Sequence, residues 1–413
     1  MDILNVNENL LVDNSIVSSE FHTYQPFISS KFDYNDEIRI PIQELDSYTL
    51  PSESILYIEG VLVNETDQKY TKRLRFINNG IAFLFREIRY ELNGVTIDSV
   101  RNVGLTSTLK GLLSYNVNES LKLQNAGWFP DRDESDRILV DDDGKFNVSI
   151  PLKLLMGFFE DYKKIVMNMK QELVLIRASN DLDAVYFKDD IEPKILQVET
   201  PNVKLDKIYW KIPHITVDIP HQLALTKIIE TNKDILLGFR SWELVEYSSL
   251  SETTRHTWPV KTTSKLEAPR HVIIAFQEDR KGHVQKDMSI FDDIGLTNVR
   301  VFLNSERYPY HDLYLNFKEN KFSSLYEMFS NFRNSYYGTS NEPIFNPMKF
   351  KEKCPITHID CSRQKESLQT GSVVMRIEFE TNKSVKKNTS VYCLILHDKV
   401  YSYNPLTKIV RQM

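Results

Sequence analysis

Glycine is scarce in this chain of 413 residues, at 13 positions, less than half the usual share of about 7%. Backbone cradles for phosphate need close approach that side chains block, and the sequence contains no G-x-x-x-x-G-K-[ST] loop, no G-x-G-x-x-G turn, no G-x-S-x-G elbow and no H-E-x-x-H pair. Cysteine is also rare: Cys354, Cys361 and Cys393 are too few and too late in the chain to staple both halves, which favours a reducing compartment over secretion. Long apolar runs are missing. The longest, such as Ile81 to Phe85 and Val391 to Leu396, fall far short of a membrane span, and the start lacks the basic and apolar regions of a signal peptide. Basic charge is short as well. With a net charge of −6 and no Lys or Arg in residues 1 to 30, the chain lacks the basic arm or surface of a protein that coats nucleic acid. The expectation is a soluble intracellular protein.

What the chain has is aromatic and β-forming residues, with 20 tyrosines and 22 phenylalanines, a mix that favours packed strands over helix bundles or disorder. Its length exceeds what one core usually supports, so two domains are expected. The organising stretch is Phe85 to Asn116. Ile88, Tyr90 and Leu92 alternate with Glu87, Arg89 and Glu91, Asn93-Gly94 tolerates the positive φ of a tight turn, and Val95, Ile97 and Ser99 return, which predicts a hairpin. A helix follows over Val103 to Ser114. Arg89-x-x-Leu92-Asn93-Gly94 echoes downstream as Arg300-x-x-Leu303-Asn304-Ser305, again before a helical pattern. Half the chain separates the copies, so the echo marks a duplication.

Around these copies, residues 1–34 read as a polar N-terminal arm, disordered or laid across a neighbour. Strands are expected at Ile38 to Ile42, Ser54 to Asn64, Lys145 to Pro151, Leu173 to Ile176, Lys194 to Asn202 and Lys207 to Val217, with a short helix over Leu152 to Tyr162. Residues 115–144 read as polar and acidic connection. A helix from Ile219-Pro220 to about Thr231 opens the second half, where strands are expected at Gly238 to Tyr247 and His271 to Gln277. The echoed hairpin (Val299 to Phe317), a helix near Phe322 to Phe332, a loop to about Thr370, and strands at Ser372 to Glu380, Thr389 to His397 and Lys399 to Tyr403 complete it. The fold class is therefore all-β, two tandem domains built as β-sandwiches or jelly rolls with a few short helices: first domain 35–218, second domain 219–413.

Candidate chemistry is thin. Cys354-x-x-x-His358-x-x-Cys361 with Cys393 and His397 is the best metal candidate, but zinc prefers paired knuckles and this spacing is irregular, so buried cysteines acting as small hydrophobes are the preferred reading. Asp131-x-Asp133 and Asp141-Asp142-Asp143-Gly144 do not supply the register of a calcium loop and read as solvated turns. His214, His221, His256, His271, His283 and His311 are scattered. Among Trp128, Trp210, Trp242 and Trp258, only Trp258, near Arg255 and Lys261, suits a stacking surface; core or interface anchors are the first reading for all four. No catalytic, cofactor-binding or metal residue is assigned, and no cofactor is expected.

Asn35-Asp36-Glu37-Ile38-Arg39-Ile40-Pro41-Ile42, Leu50-Pro51-Ser52-Glu53-Ser54, the run Phe85 to Leu113 centred on Glu87-Ile88-Arg89-Tyr90-Glu91-Leu92-Asn93-Gly94, and Gly157-Phe158-Phe159-Glu160-Asp161-Tyr162 resemble the double jelly-roll major capsid proteins of Maverick/Polinton elements and adintoviruses, including copies endogenous in animal genomes. The likeness is dense over residues 35–180 and thinner beyond. It implies two eight-stranded jelly rolls side by side, homotrimers forming pseudo-hexameric capsomers, and an icosahedral shell of a DNA virus or virus-like element. It also implies neighbouring capsomers and penton or minor capsid proteins as partners, DNA driven in by a separate packaging ATPase, and a virion location after assembly inside the host cell. This sequence lacks long tower insertions between strands. The alternative reading is a non-enzymatic β-sandwich binding module for a glycan or protein, including a domesticated capsid-derived host protein; an enzyme on a β scaffold is the third.

Overall fold

The computed structural model describes residues 15–27, 32–44, 47–64, 74–132, 139–187, 200–261, 269–363 and 373–413. The fold is a double jelly roll, mostly strands with few helices. In the first half the strands are β1 (Ile16–Tyr24), β2 (Glu37–Ile42), β3 (Tyr48–Thr49), β4 (Ile55–Asn64), β5 (Leu74–Phe76), β6 (Phe85–Leu92), β7 (Val95–Arg101), β8 (Lys145–Pro151), β9 (Val166–Met167), β10 (Gln171–Arg177), β11 (Val185–Phe187) and β12 (Pro201–Val217). One sheet runs β8-β4-β12-β3-β9 with β1 added on β12, and the facing one runs β2-β10-β6-β7. The second half holds β13 (Ile235–Tyr247), β14 (Arg255–Val260), β15 (Pro269–Glu278), β16 (Leu296–Leu303), β17 (Glu306–Tyr308), β18 (Thr357–Asp360), β19 (Met375–Thr381), β20 (Thr389–Tyr403) and β21 (Val410–Gln412). Its sheets run β13-β20-β15-β18, with β21 on β20, and β14-β19-β16-β17.

The echoed hairpins fill the same two places, the last pair of each four-stranded sheet: β6-β7 and β16-β17. In the first, Leu92 pairs with Val95 across Asn93 (φ 48°) and Gly94 (φ 80°); in the second, Leu303 pairs with Glu306 across Asn304 (φ 54°) and Ser305. Both are two-residue turns, which pin register so that the apolar side chains stay on the core face. The second return strand is shorter than expected and stops at Tyr308, because Pro309 has no N–H to offer the ladder.

Two further differences have local causes. Ile16–Tyr24, expected within an arm, is a strand antiparallel to the C-terminal part of β12 on its own chain. Its residues are exposed on both faces, so they carry no alternation to betray a strand. Residues 1–14 lie outside the described residues. β12 is one 17-residue strand rather than the tail of two: Val203 and Leu205 point inward, a bulge at Leu205/Lys207 shifts the phase, and Ile208, Trp210 and Ile212 point inward after it. The expected strand at Lys194 to Asn202 lies mainly outside the described residues.

The helices are α1 (Gly80–Phe83), α2 (Val103–Ser114), α3 (Val117–Leu123), α4 (Gly157–Asp161), α5 (Ile219–Glu230), α6 (Ser323–Ser330), α7 (Phe332–Tyr337) and α8 (Pro347–Lys353). α3 interrupts the stretch read as acidic connection. Its start is a reciprocal capping box, Asn116 accepting from the Glu119 N–H while Glu119 accepts from the Asn116 N–H. The expected helix over Leu152 to Tyr162 is a single 3-10 turn followed by α4, and α8 and β18 lie in what read as a loop. None of the helices among the described residues is long and apolar enough to cross a membrane.

Candidate functional site at the junction of the two halves

The most elaborate polar construction in the described residues joins the halves, and it is built on Gly157-Phe158-Phe159-Glu160-Asp161-Tyr162. This stretch forms α4, one turn of helix laid against β13 of the second half. A Cβ on Gly157 would stand 1.8 Å from the Arg240 carbonyl oxygen, so only glycine lets the two backbones approach this closely. The Phe158 N–H donates to Asp98 at 3.0 Å, and Ser241 Oγ donates to the other oxygen of the same buried carboxylate at 2.7 Å. The Phe158 ring stacks on Tyr90 and Tyr162, at centroid distances of 4.8 and 5.2 Å, and meets Phe239 of the second half edge-on at 5.3 Å.

Glu160 and Asp161 each catch a cation. Lys110, on α2 and 2% exposed, donates to both Glu160 oxygens at 3.0 and 3.1 Å, to Ser114 Oγ at 2.8 Å and to the Tyr337 hydroxyl at 2.9 Å. Its ammonium lies 4.2 Å from the centre of the Tyr336 ring and 4.9 Å from Trp242, where ring quadrupoles attract a desolvated cation. Tyr336 donates to Glu160 at 2.9 Å and Tyr337 donates to its other oxygen. Asp161 takes Arg240 in a fork, 2.6 and 2.7 Å from two guanidinium nitrogens, and also accepts from the Arg240 backbone N–H at 2.8 Å. The guanidinium then donates to the Tyr336 carbonyl at 2.7 Å and stacks 3.5 Å from that ring. Further out, Arg333 of α7 donates to the Ser114 carbonyl, capping the end of α2, and to Glu119 at 2.7 Å.

Burial pulls the Lys110 ammonium below its ordinary range while Glu160 works against that shift. Burial and the neighbouring Glu160 carboxylate push both Tyr336 and Tyr337 well up, so their hydroxyls stay protonated and donate. Around Arg240 burial acts downward, yet the Asp161 hydrogen bonds hold it above the usual arginine value. A lysine beside a carboxylate and two phenols is a set that could move protons, but Lys110 is sealed from solvent. Its chemistry is that of a bolt: the Asp161–Arg240 fork crosses the junction, and the Tyr336 and Tyr337 hydroxyls tie the Lys110–Glu160 pair to the second half, so opening the interface strands buried charge.

The residues weighed from sequence are dispersed. Cys354, Cys361 and Cys393 are free, buried thiols, and burial raises all three above the ordinary thiol value, which fits inert packing. His358 uses Nδ1 on the Met328 carbonyl at 2.9 Å and places Nε2 3.1 Å from His271 Nδ1; burial holds both rings below the usual imidazole value. Trp258 does not share a face with Arg255: along β14 the tryptophan is buried and the arginine exposed, so no stacking platform forms. Asp141 accepts from the Asp143 and Lys145 N–H groups at 2.9 and 2.8 Å, a turn, and Asp131 pairs with Lys349. Asp133 lies outside the described residues. Among the described residues one set of three or more His, Cys, Asp or Glu donors converges, His22, Glu44 and His214. Sequence reasoning missed it because Glu44 and the two histidines come from three distant segments.

The sequence profile of the family described as double jelly roll-like domain matches residues 74–401. No curated protein sequence matches the chain. Among solved structures, the Faustovirus major capsid protein aligns at a TM-score of 0.60 and 10% identity, over 96% of this chain and 92% of that one. The mavirus major capsid protein aligns at 0.57 and 13%, over 99% and 92%. A chain of the Sputnik virophage structure aligns at 0.62 and 9%, over 100% and 91%. At these identities the likeness is one of fold, and it runs the length of both chains.

Proposed function

This chain belongs to the double jelly roll-like domain family, and from that premise we propose that it is a major capsid protein whose trimers form pseudo-hexameric capsomers of an icosahedral shell. The similarity to viral major capsid proteins supports the capsid role. The observation that carries the rest is the junction. Two jelly rolls, 35–218 and 219–413 in our assignment, are locked through the Asp161–Arg240 pair and through the Tyr336 and Tyr337 hydroxyls, which meet Glu160 and Lys110, so one chain acts as one block with two similar walls. Three such blocks about a threefold axis present six walls, which tile a hexagonal lattice.

The Maverick/Polinton and adintovirus type is our finer assignment. Its support is that Gly157 to Tyr162, part of the block carrying that resemblance, is the stretch that builds the junction. The role is structural, with self-association as the partner chemistry and penton or minor capsid proteins at the shell's vertices. Exposed apolar side chains fit this reading, notably Ile219 (72% exposed) and Leu223 (66%) on α5, and Ile16 and Val17 on β1, where Ile16 pairs with Val217 just ahead of α5.

Light scattering on the purified chain after size exclusion is the test. The expected species is three times the 48.3 kDa chain, about 145 kDa. A strictly monomeric chain at all salt and pH conditions contradicts the proposal.

A further inference from the structure

β1 is weakly held by packing, since none of its side chains is buried, yet one end of it carries a specific polar cluster. His22 on β1 stands opposite Ile212, and His214 on β12 stands opposite Glu20, so the two histidines sit one diagonal step apart on the same face of the sheet. Their rings stack with centroids 3.9 Å apart and planes 14° from parallel. Glu44, in the connection after β2, brings Oε2 to 3.9 Å from His214 Nδ1. The donor atoms of all three residues lie within 4.8 Å of one another. Tyr24 completes the surroundings: its hydroxyl donates to Glu44 at 3.1 Å and lies 2.8 Å from His214 Nε2.

We propose that His22, Glu44 and His214 bind a divalent transition metal ion of the zinc class, which clips β1 to the body of the first jelly roll. Two imidazoles and one carboxylate are a donor set that zinc takes with a fourth position left for water. In a tetrahedral site with bonds of about 2.0–2.2 Å the donors lie about 3.4 Å apart. The cluster closes to that spacing by rotation of His22 and Glu44, both exposed, around His214, which is buried and fixed. Tyr24 then serves as an outer partner that orients the carboxylate. The ion ties together residues 22, 44 and 214, adding to the β1–β12 ladder and to the Tyr24 hydroxyl's contacts with Glu44 and His214. Attachment of the N-terminal strand, already made by its ladder with β12, is thereby tightened when the metal is bound.

The test uses the full chain with zinc chloride in calorimetry and cobalt(II) in absorption spectroscopy. The expected result is one ion per chain, tetrahedral cobalt bands, and slower amide hydrogen exchange over residues 16–24 when zinc is bound. His22→Ala and Glu44→Gln, both at exposed positions, should weaken binding at least about tenfold with unchanged circular dichroism, and should abolish the exchange effect. Absence of binding at micromolar zinc, variants that bind as tightly as the parent chain, or exchange unaltered by bound zinc would each overturn the proposal. Binding is read per chain, so the result is independent of whether the chain forms trimers.

Discussion

Replacing Lys110 with Met is expected to destabilise the junction by about 3–5 kcal/mol, the range for removing one partner of a buried pair. Lys110 and Glu160 are 2% and 11% exposed at their side chains, so solvent screens them little. The single replacement leaves the Glu160 carboxylate with the two tyrosine hydroxyls but no counter-charge. The double variant Lys110→Met/Glu160→Gln removes the stranded charge and is expected to recover most of the loss, because apolar or neutral groups of similar volume often replace a buried ion pair at little net cost. Urea denaturation followed by tryptophan fluorescence reads both, since Trp242 lies within 5 Å of the Lys110 ammonium. In the single variant the halves should also lose cooperativity and unfold in separable steps, because the pair bridges α2 of the first half to α7 of the second through Tyr337. If single and double variants are equally destabilised, the stranded charge is not the cause and the junction works by shape alone.

Turning Ile219 and Leu223 both to Asp is expected to convert the proposed trimer into monomers without unfolding the chain. The two residues lie four apart on α5 and so share a face, and no residue of α5 is buried in the single chain. A helix of 12 residues has marginal stability in water unless a tertiary surface covers it; Leu225 and Ile229, the half-buried side chains of α5, give it only a shallow seat. Exposed substitutions of this kind usually shift monomer stability by within about 0.5 kcal/mol, whereas an aspartate pair buried in an apolar interface meets a desolvation cost that a trimer contact cannot carry. Light scattering should therefore move from the trimer mass to 48.3 kDa, with the denaturation midpoint nearly unchanged. An unchanged mass would place the subunit contacts elsewhere.

Much of the framework was legible in the sequence, and for local reasons. Asn93-Gly94 and Asn304-Ser305 sit between alternating runs, so turn chemistry and side-chain period agree, and both hairpins occur in equivalent places. The junction was legible only as wording. Gly157 to Tyr162 stood out by resemblance, but its purpose depends on Arg240 and Tyr336, which are 79 and 176 residues from their carboxylate partners; no periodicity encodes such a pairing. Lys110 is harder still, since a lysine in an amphipathic helix ordinarily faces water. β18 is four residues long and β1 is exposed on both faces, so neither offers a pattern. His22, Glu44 and His214 come together through strand pairing and a loop path, which a one-dimensional reading does not contain.

The central claim is that one chain supplies two walls of a six-walled capsomer, and the most direct test is electron microscopy of the purified oligomer viewed down its symmetry axis. Class averages are expected to show a hexagonal outline with threefold symmetry and six lobes of similar size, two per chain. Particles with three lobes, a twofold outline, or single two-lobed chains throughout would contradict it.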